Sequence, residues 1–111
     1  MSLPVRRSDE AQLDVELQAE YYAQRESLEL AIDFTRAVER ASAALGATPF
    51  LGPLYKLKQA RLGRLRKWRV DEPFDKHLIF YRVDQDAIVV VRIIHGMRDL
   101  PRRLLDPPGA E

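Results

Sequence analysis

Residues 78–99 read Leu-Ile-Phe-Tyr-Arg-Val-Asp-Gln-Asp-Ala-Ile-Val-Val-Val-Arg-Ile-Ile-His-Gly-Met-Arg-Asp. β-Branched and aromatic residues fill two apolar runs, and such side chains fit a pleated surface better than a helix. Asp84, Gln85 and Asp86 separate the runs with residues suited to a turn. The spacing predicts strands over 77–83 and 87–94, joined as an antiparallel hairpin. Upstream, Arg64, Arg66, Trp68 and Val70 alternate with Leu65, Lys67 and Arg69, which predicts a further strand over about 64–70. Glu72-Pro73 breaks it. Leu3, Val5 and Arg7 suggest a short first strand, and Pro4 would confine it to an edge or a strand start.

Between the first strand and the others the period changes. Ser8 is a good N-cap, and Asp9 and Glu10 place negative charge where a helix N-terminus favours it. A helix over about 9–26 follows, with Ala11, Val15 and Tyr22 on one side and Leu17 and Tyr21 beside them. Ser27 opens a second helix whose stripe runs Leu30, Phe34, Val38, Ala41, Leu45. Gly46 reads as its stop, with Pro49 beyond. Residues 46–57 form a Gly/Pro loop from helices to sheet. Pro101 reads as a terminator, and about 106–111 as a frayed tail. The expected fold is α+β, in the order β-α-α-β-β-β. A helical hairpin covers one face of a small, mainly antiparallel sheet, and the other face stays free or partly wet.

The 111 residues carry a net charge of +1, 46% hydrophobic and 32% charged residues and no Cys. That composition suits one soluble domain spanning 1–111 and excludes disulfides and thiolate metal sites. It fits a reducing cytoplasm. No apolar run reaches membrane-spanning length. Residues 1–40 hold five basic and nine acidic side chains, and residues 41–111 hold thirteen and eight. The imbalance peaks at 56–69, with Lys56, Lys58, Arg61, Arg64, Arg66, Lys67 and Arg69 and no acid. Such a run is expected to present a positive surface to an anionic partner. His77 and His95 lack the further ligands zinc requires, so no metal is expected. Five singly scattered Gly form no phosphate cradle, and no cofactor is expected.

Tyr21-Tyr22-Ala23, the stretch Ala31 to Ala41, Pro49 to Gly52, Phe80 to Val83 and the ending Arg92 to Asp99 are weak signals singly. In this order and spacing they resemble the ParE/RelE toxin superfamily of bacterial type II toxin–antitoxin modules, also called plasmid stabilisation proteins. The similarity spans about 9–105, and the His-Gly-x-Arg-Asp ending looks like the ParE branch. The resemblance implies a toxin neutralised by a small ParD-like antitoxin, in a possible hetero-oligomer. ParE members poison DNA gyrase by binding, whereas RelE members cut mRNA on the ribosome. A third alternative is an inactive homologue that only binds an antitoxin.

For a binder, the residues expected to contact the target or the antitoxin are Lys56, Lys58, Arg61, Arg64, Arg66, Arg69, Arg92, Arg98, Arg102 and Arg103, with Leu100, Leu104 and Leu105 as apolar anchors; the antitoxin would also use apolar grooves beside the helices. For a nuclease, Arg64, Arg69 and Arg82 would hold phosphate and His95 would transfer the proton. His95 suits a hydrogen-bonded residue ending a strand better than a catalyst, because a lone His fills only one role of an acid–base pair. Trp68 and the Tyr21–Tyr22 pair suit the core better than a base stack.

Overall fold

In the computed structural model, residues 2–55, 64–96 and 100–109 are described. The hairpin expected from residues 78–99 is present. One strand, His77–Val83, and a second, Ile88–His95, pair antiparallel around a turn in which the Asp84 N–H donates to the Ala87 carbonyl at 2.9 Å. In chain order the elements are β1 (Val5–Arg7), α1 (Asp9–Arg25), α2 (Leu28–Ala47), β2 (Arg66–Arg69), β3 (His77–Val83), β4 (Ile88–His95) and α3 (Leu100–Leu105). The four strands form one mixed sheet ordered β1-β4-β3-β2. β1 joins β4 in parallel, and β2 and β4 flank β3 antiparallel.

The helices begin where their caps require. The Ser8 hydroxyl accepts from the Ala11 N–H at 3.0 Å and donates to the Val91 carbonyl at 2.7 Å, so the cap also fastens α1 to β4. Ser27 accepts from the Leu30 N–H at 3.0 Å. Phe34, Val38, Ala41 and Leu45 of the expected stripe are buried against Ile79, Tyr81, Ile88, Val90 and Ile93 of the sheet. Leu30 packs at the margin of this core, while Leu17 and Tyr21 are exposed.

Three expectations need correction. Gly46 lies inside α2 rather than ending it. There the chain before β1 crosses the helix so closely that a Cβ would sit 2.8 Å from the Leu3 carbonyl oxygen. Pro101 does not terminate the chain's regular structure. It occupies the first turn of α3, where a missing N–H costs nothing because that N–H has no helical partner. Nor is the second sheet face open. Leu65, Leu78, Phe80, Ile94, Leu100 and Leu104 form a second buried cluster, joined by Tyr55 and Val91. Its Leu100 and Leu104 come from one side of α3, four residues apart. Among the described residues, no helix is long and apolar enough to cross a membrane.

Candidate functional site

β-Strand geometry separates the four residues that a nuclease would need together. His95 is paired across the sheet with His77, at one end of β3. Arg82 lies five residues further along β3, about 17 Å at the usual rise per residue. Its Nε donates to Asp84 Oδ1 at 2.8 Å, and that bond holds the Asp84 carboxyl below its ordinary range. Arg69 pairs with Leu78 on the far side of β3, two strands from His95. Arg64 is exposed at the start of β2, beside Arg66. Among the described residues, the three cations named for phosphate, Arg64, Arg69 and Arg82, therefore do not converge on His95.

His95 instead meets His77, with ring centroids 4.7 Å apart. Burial, then Arg103 and Lys76, lower the His95 pKa from its ordinary value. His77 is buried among Tyr22, Phe34 and Phe74, and its Nε2 is 2.9 Å from the Tyr22 hydroxyl. Burial foremost, and His95 next, push the His77 pKa down to about 4, so its imidazole is neutral near pH 7. Burial raises the Tyr22 phenol, which keeps its proton to donate. The spacing of α1 did place Tyr22 inside. Nothing in the sequence pairs it with His77, 55 residues away.

Two expected binding residues are interior. Arg92 is 6% exposed and makes a bidentate bridge to Asp14, Nε–Oδ2 at 2.8 Å and Nη2–Oδ1 at 3.0 Å. Its Nη1 donates to the carbonyls of Arg103, at 3.0 Å, and of Asp106. Arg92 is thus a tie between α1, β4 and α3 rather than a surface cation. Leu104, likewise, is a core residue of the second face and offers no exposed anchor. Arg102 is exposed, with Asp106 at 3.4 Å. Arg103 lines a groove of about 430 Å³ with His95, Gln18 and Tyr21. Lys56, Lys58, Arg61 and Arg98 lie outside the described residues.

The remaining cations gather at the edge of the sheet farthest from β1. Residues 53–55 run along β2: Tyr55 N–H donates to the Leu65 carbonyl, and Lys67 N–H to the Pro53 carbonyl. Arg66 Nη1 donates to the Gly52 carbonyl at 2.8 Å, and its guanidinium lies 4.9 Å over the Phe50 ring. Lys67 lies 5.4 Å over the ring of Tyr55. The loop is held from beneath by the buried Tyr81 hydroxyl, which donates to the Pro49 carbonyl at 2.9 Å and accepts from the Gly52 N–H at 2.8 Å. Tyr81→Phe leaves both groups without that partner and is expected to cost about 1–2 kcal/mol. Urea denaturation with an unchanged m-value would register the loss; an unshifted midpoint would show that the hydroxyl holds nothing. The exposed Phe50, Leu51 and Leu54 were not singled out in the sequence, although the Pro49–Pro53 loop gave a reason to look for exposed apolar side chains.

A second apolar surface lies along the helical hairpin. A groove of about 500 Å³ is lined by Ala19, Ala23, Leu28, Ala31, Ile32 and Thr35, with Glu20 and Arg36 completing its walls. Leu28 is 68% exposed. Among the described residues, no cluster of three or more His, Asp or Glu could hold a metal ion.

Residues 5–100 match the family model described as the ParE toxin of the parDE type II toxin–antitoxin system. Among solved structures, a chain of the chromosomal ParDE toxin–antitoxin system from P. aeruginosa is similar in fold, with a TM-score of 0.70 at 14% identity. The likeness covers 86% of this chain and 98% of that one. No curated protein sequence matches this chain.

Proposed function

The chain belongs to the ParE toxin family of type II toxin–antitoxin systems, and from that premise we propose that it acts in the cytoplasm as a toxin that inhibits DNA gyrase by binding. Its antidote is a cognate antitoxin. The observation that carries binding over RNA cleavage is the separation of the named cations from His95: Arg69 shares the opposite sheet face with Leu78, and Arg82 lies five residues along β3, already paired to Asp84. General acid–base chemistry needs its groups within hydrogen-bond reach of one substrate. Surface recognition has no such requirement.

The α1–α2 groove suits the apolar part of an antitoxin segment that folds as it binds. Small side chains at Ala19, Ala23 and Ala31 allow close approach, and the exposed Leu28 and Ile32 supply contact area. Leu28→Asp combined with Ile32→Asp is expected to weaken antitoxin affinity by about 1.5–3 kcal/mol per residue. Isothermal titration with the protein encoded by the neighbouring gene would read this; unchanged affinity places the antitoxin elsewhere.

The target is tested by adding the purified protein to a gyrase supercoiling reaction and, in parallel, to an in vitro translation followed by primer extension. Gyrase cleavage complexes on plasmid with intact mRNA are the expected pair of results. Codon-position cuts that vanish in His95→Ala would replace this reading with a ribosome-dependent nuclease. Unimpaired growth at verified expression without the antitoxin would leave an antitoxin-binding homologue without toxicity.

A further inference from the structure

We infer that the sheet edge formed by residues 49–55 and β2 binds single-stranded nucleic acid, with Phe50 as the stacking platform. This goes beyond gyrase inhibition, because the chain would then touch a nucleic acid strand itself.

Three observations converge there. The first is charge. From Pro49 to Val70 the sequence holds seven Lys or Arg and no Asp or Glu. Of these, Arg64, Arg66, Lys67 and Arg69 are described, along a few residues of extended chain. The second is planarity. Phe50 is 59% exposed, and the Arg66 guanidinium lies over one face of its ring at 4.9 Å, leaving the other for a base. The other cation–ring pair of this edge, Lys67 with Tyr55, lies on the opposite face of the sheet, beside Phe80, and leaves Phe50 as the platform. An exposed ring flanked by Arg64 and Arg66 suits a strand that presents bases and phosphates in alternation.

The third is rigidity. An exposed Phe on a floppy loop would lose conformational freedom on binding. Here the loop is already fixed by the Tyr81 hydroxyl beneath Pro49 and Gly52. Gly52 approaches β2 so closely that a Cβ would lie 2.5 Å from the Lys67 carbonyl oxygen. Beside Phe50 lies a shallow cavity of about 280 Å³, floored by Leu54 and Val83 and flanked by Arg64 and Arg66. It offers an unstacked base an apolar floor and its phosphate two guanidinium groups. An acidic peptide would answer the charges but leave the ring without a flat partner, and a closed duplex presents no free base face.

Fluorescence anisotropy of the full chain with a labelled oligothymidylate of about 15 nucleotides tests the proposal. Binding at about 50 mM salt is expected to weaken steeply as salt rises. Phe50→Ala is expected to weaken it about 5- to 100-fold with little change in salt slope. Arg64→Ala is expected to lower that slope by about 0.7, the increment for one phosphate contact on a single strand. Both variants lie at the surface, and thermal melting checks their folding. An oligouridylate arm assigns the preferred sugar, and a preference for either supports the surface.

No binding at low salt would overturn the proposal, as would equal affinity in Phe50→Ala. Equally tight binding of polyglutamate or of a duplex would reduce the edge to a general polyanion patch and overturn it too. The reaction contains no gyrase, so its failure leaves the gyrase reading standing, and failure of the supercoiling assay leaves this surface standing.

Discussion

Arg92→Met is expected to lose about 3–5 kcal/mol of unfolding free energy, a large share of the 5–15 kcal/mol typical of a small domain. The reason is what the substitution strands. Asp14 and Arg92 are each 8% exposed at the side chain, so removing the guanidinium leaves a buried carboxylate without its cation. The Arg103 and Asp106 carbonyls also lose their donor, at the end of α3 where no further helical N–H follows. Asp14→Leu should be comparably damaging, since Asp14 Oδ2 also accepts from the Ile93 N–H at 2.9 Å. The double variant Asp14→Leu with Arg92→Met is the informative one. It removes both buried charges together, so it should recover part of the loss, and a double-mutant cycle in urea gives the coupling. Recovery should remain incomplete because the α3 carbonyls stay unanswered. Single variants within about 0.5 kcal/mol of the parent would mean that the pair contributes nothing beyond an exposed bridge.

That pair also marks the limit of what the sequence makes legible. Helix and strand identities were legible because each has a local cause: Ser8 and Ser27 cap, the 30-34-38-41-45 stripe has helical period, and the β3 and β4 runs are β-branched and aromatic. Arg92 reads as a contact residue on its charge alone, and unbroken alternation would put it on the side of Ile88 and Val90. The register shifts between Phe80 and Tyr81, so that Phe80 faces Arg92 whereas Tyr81 faces Val90. The extra residue, Val91, changes which side of β4 each later residue takes. A bulge of this kind is settled by the partner strand, which no single segment encodes. Asp14 did leave a signal: it is an acid one residue from Val15, on the side of α1 that Ala11 and Val15 bury. An acid at such a position asks for a buried cation.

The same limit governs the binding surfaces. Leu100 and Leu104 looked like partner anchors because the second sheet face was expected to be open. Once α3 covers that face, its leucines belong to the core and its arginines remain outside. The basic run from 56 to 69 was legible as charge, but charge alone did not reveal Phe50. Its exposure follows from the Tyr81 clamp, a contact between residues about 30 positions apart. Long-range hydrogen bonds of this sort fix which loop side chains face solvent, and they are absent from any periodicity.

Acidification is expected to remove about 3 kcal/mol of stability through His77 alone. In the unfolded chain an imidazole titrates near its ordinary value of 6.5, whereas in the folded protein His77 does so at about 4. Between those values the unfolded state binds the extra proton, so stability falls as pH falls. Above about 6.5 the contribution is complete, and below about 4 no further loss occurs, at 1.36 kcal/mol for each pH unit between. His95 is lowered as well and acts with the same sign. Its proton would stand beside Arg103 and Lys76, and the two imidazoles would repel each other at 4.7 Å. His77→Gln removes the titration while keeping a polar group toward Tyr22. Carboxylates titrate in parent and variant alike, so subtracting the two pH profiles isolates the imidazole. Urea midpoints between about pH 7.5 and 4.5 should therefore converge as pH falls, the variant being the less stable at the top and the less pH-sensitive throughout. Parallel profiles would mean that His77 accepts its proton in the folded protein as readily as in the unfolded one, which its burial among Tyr22, Phe34 and Phe74 argues against.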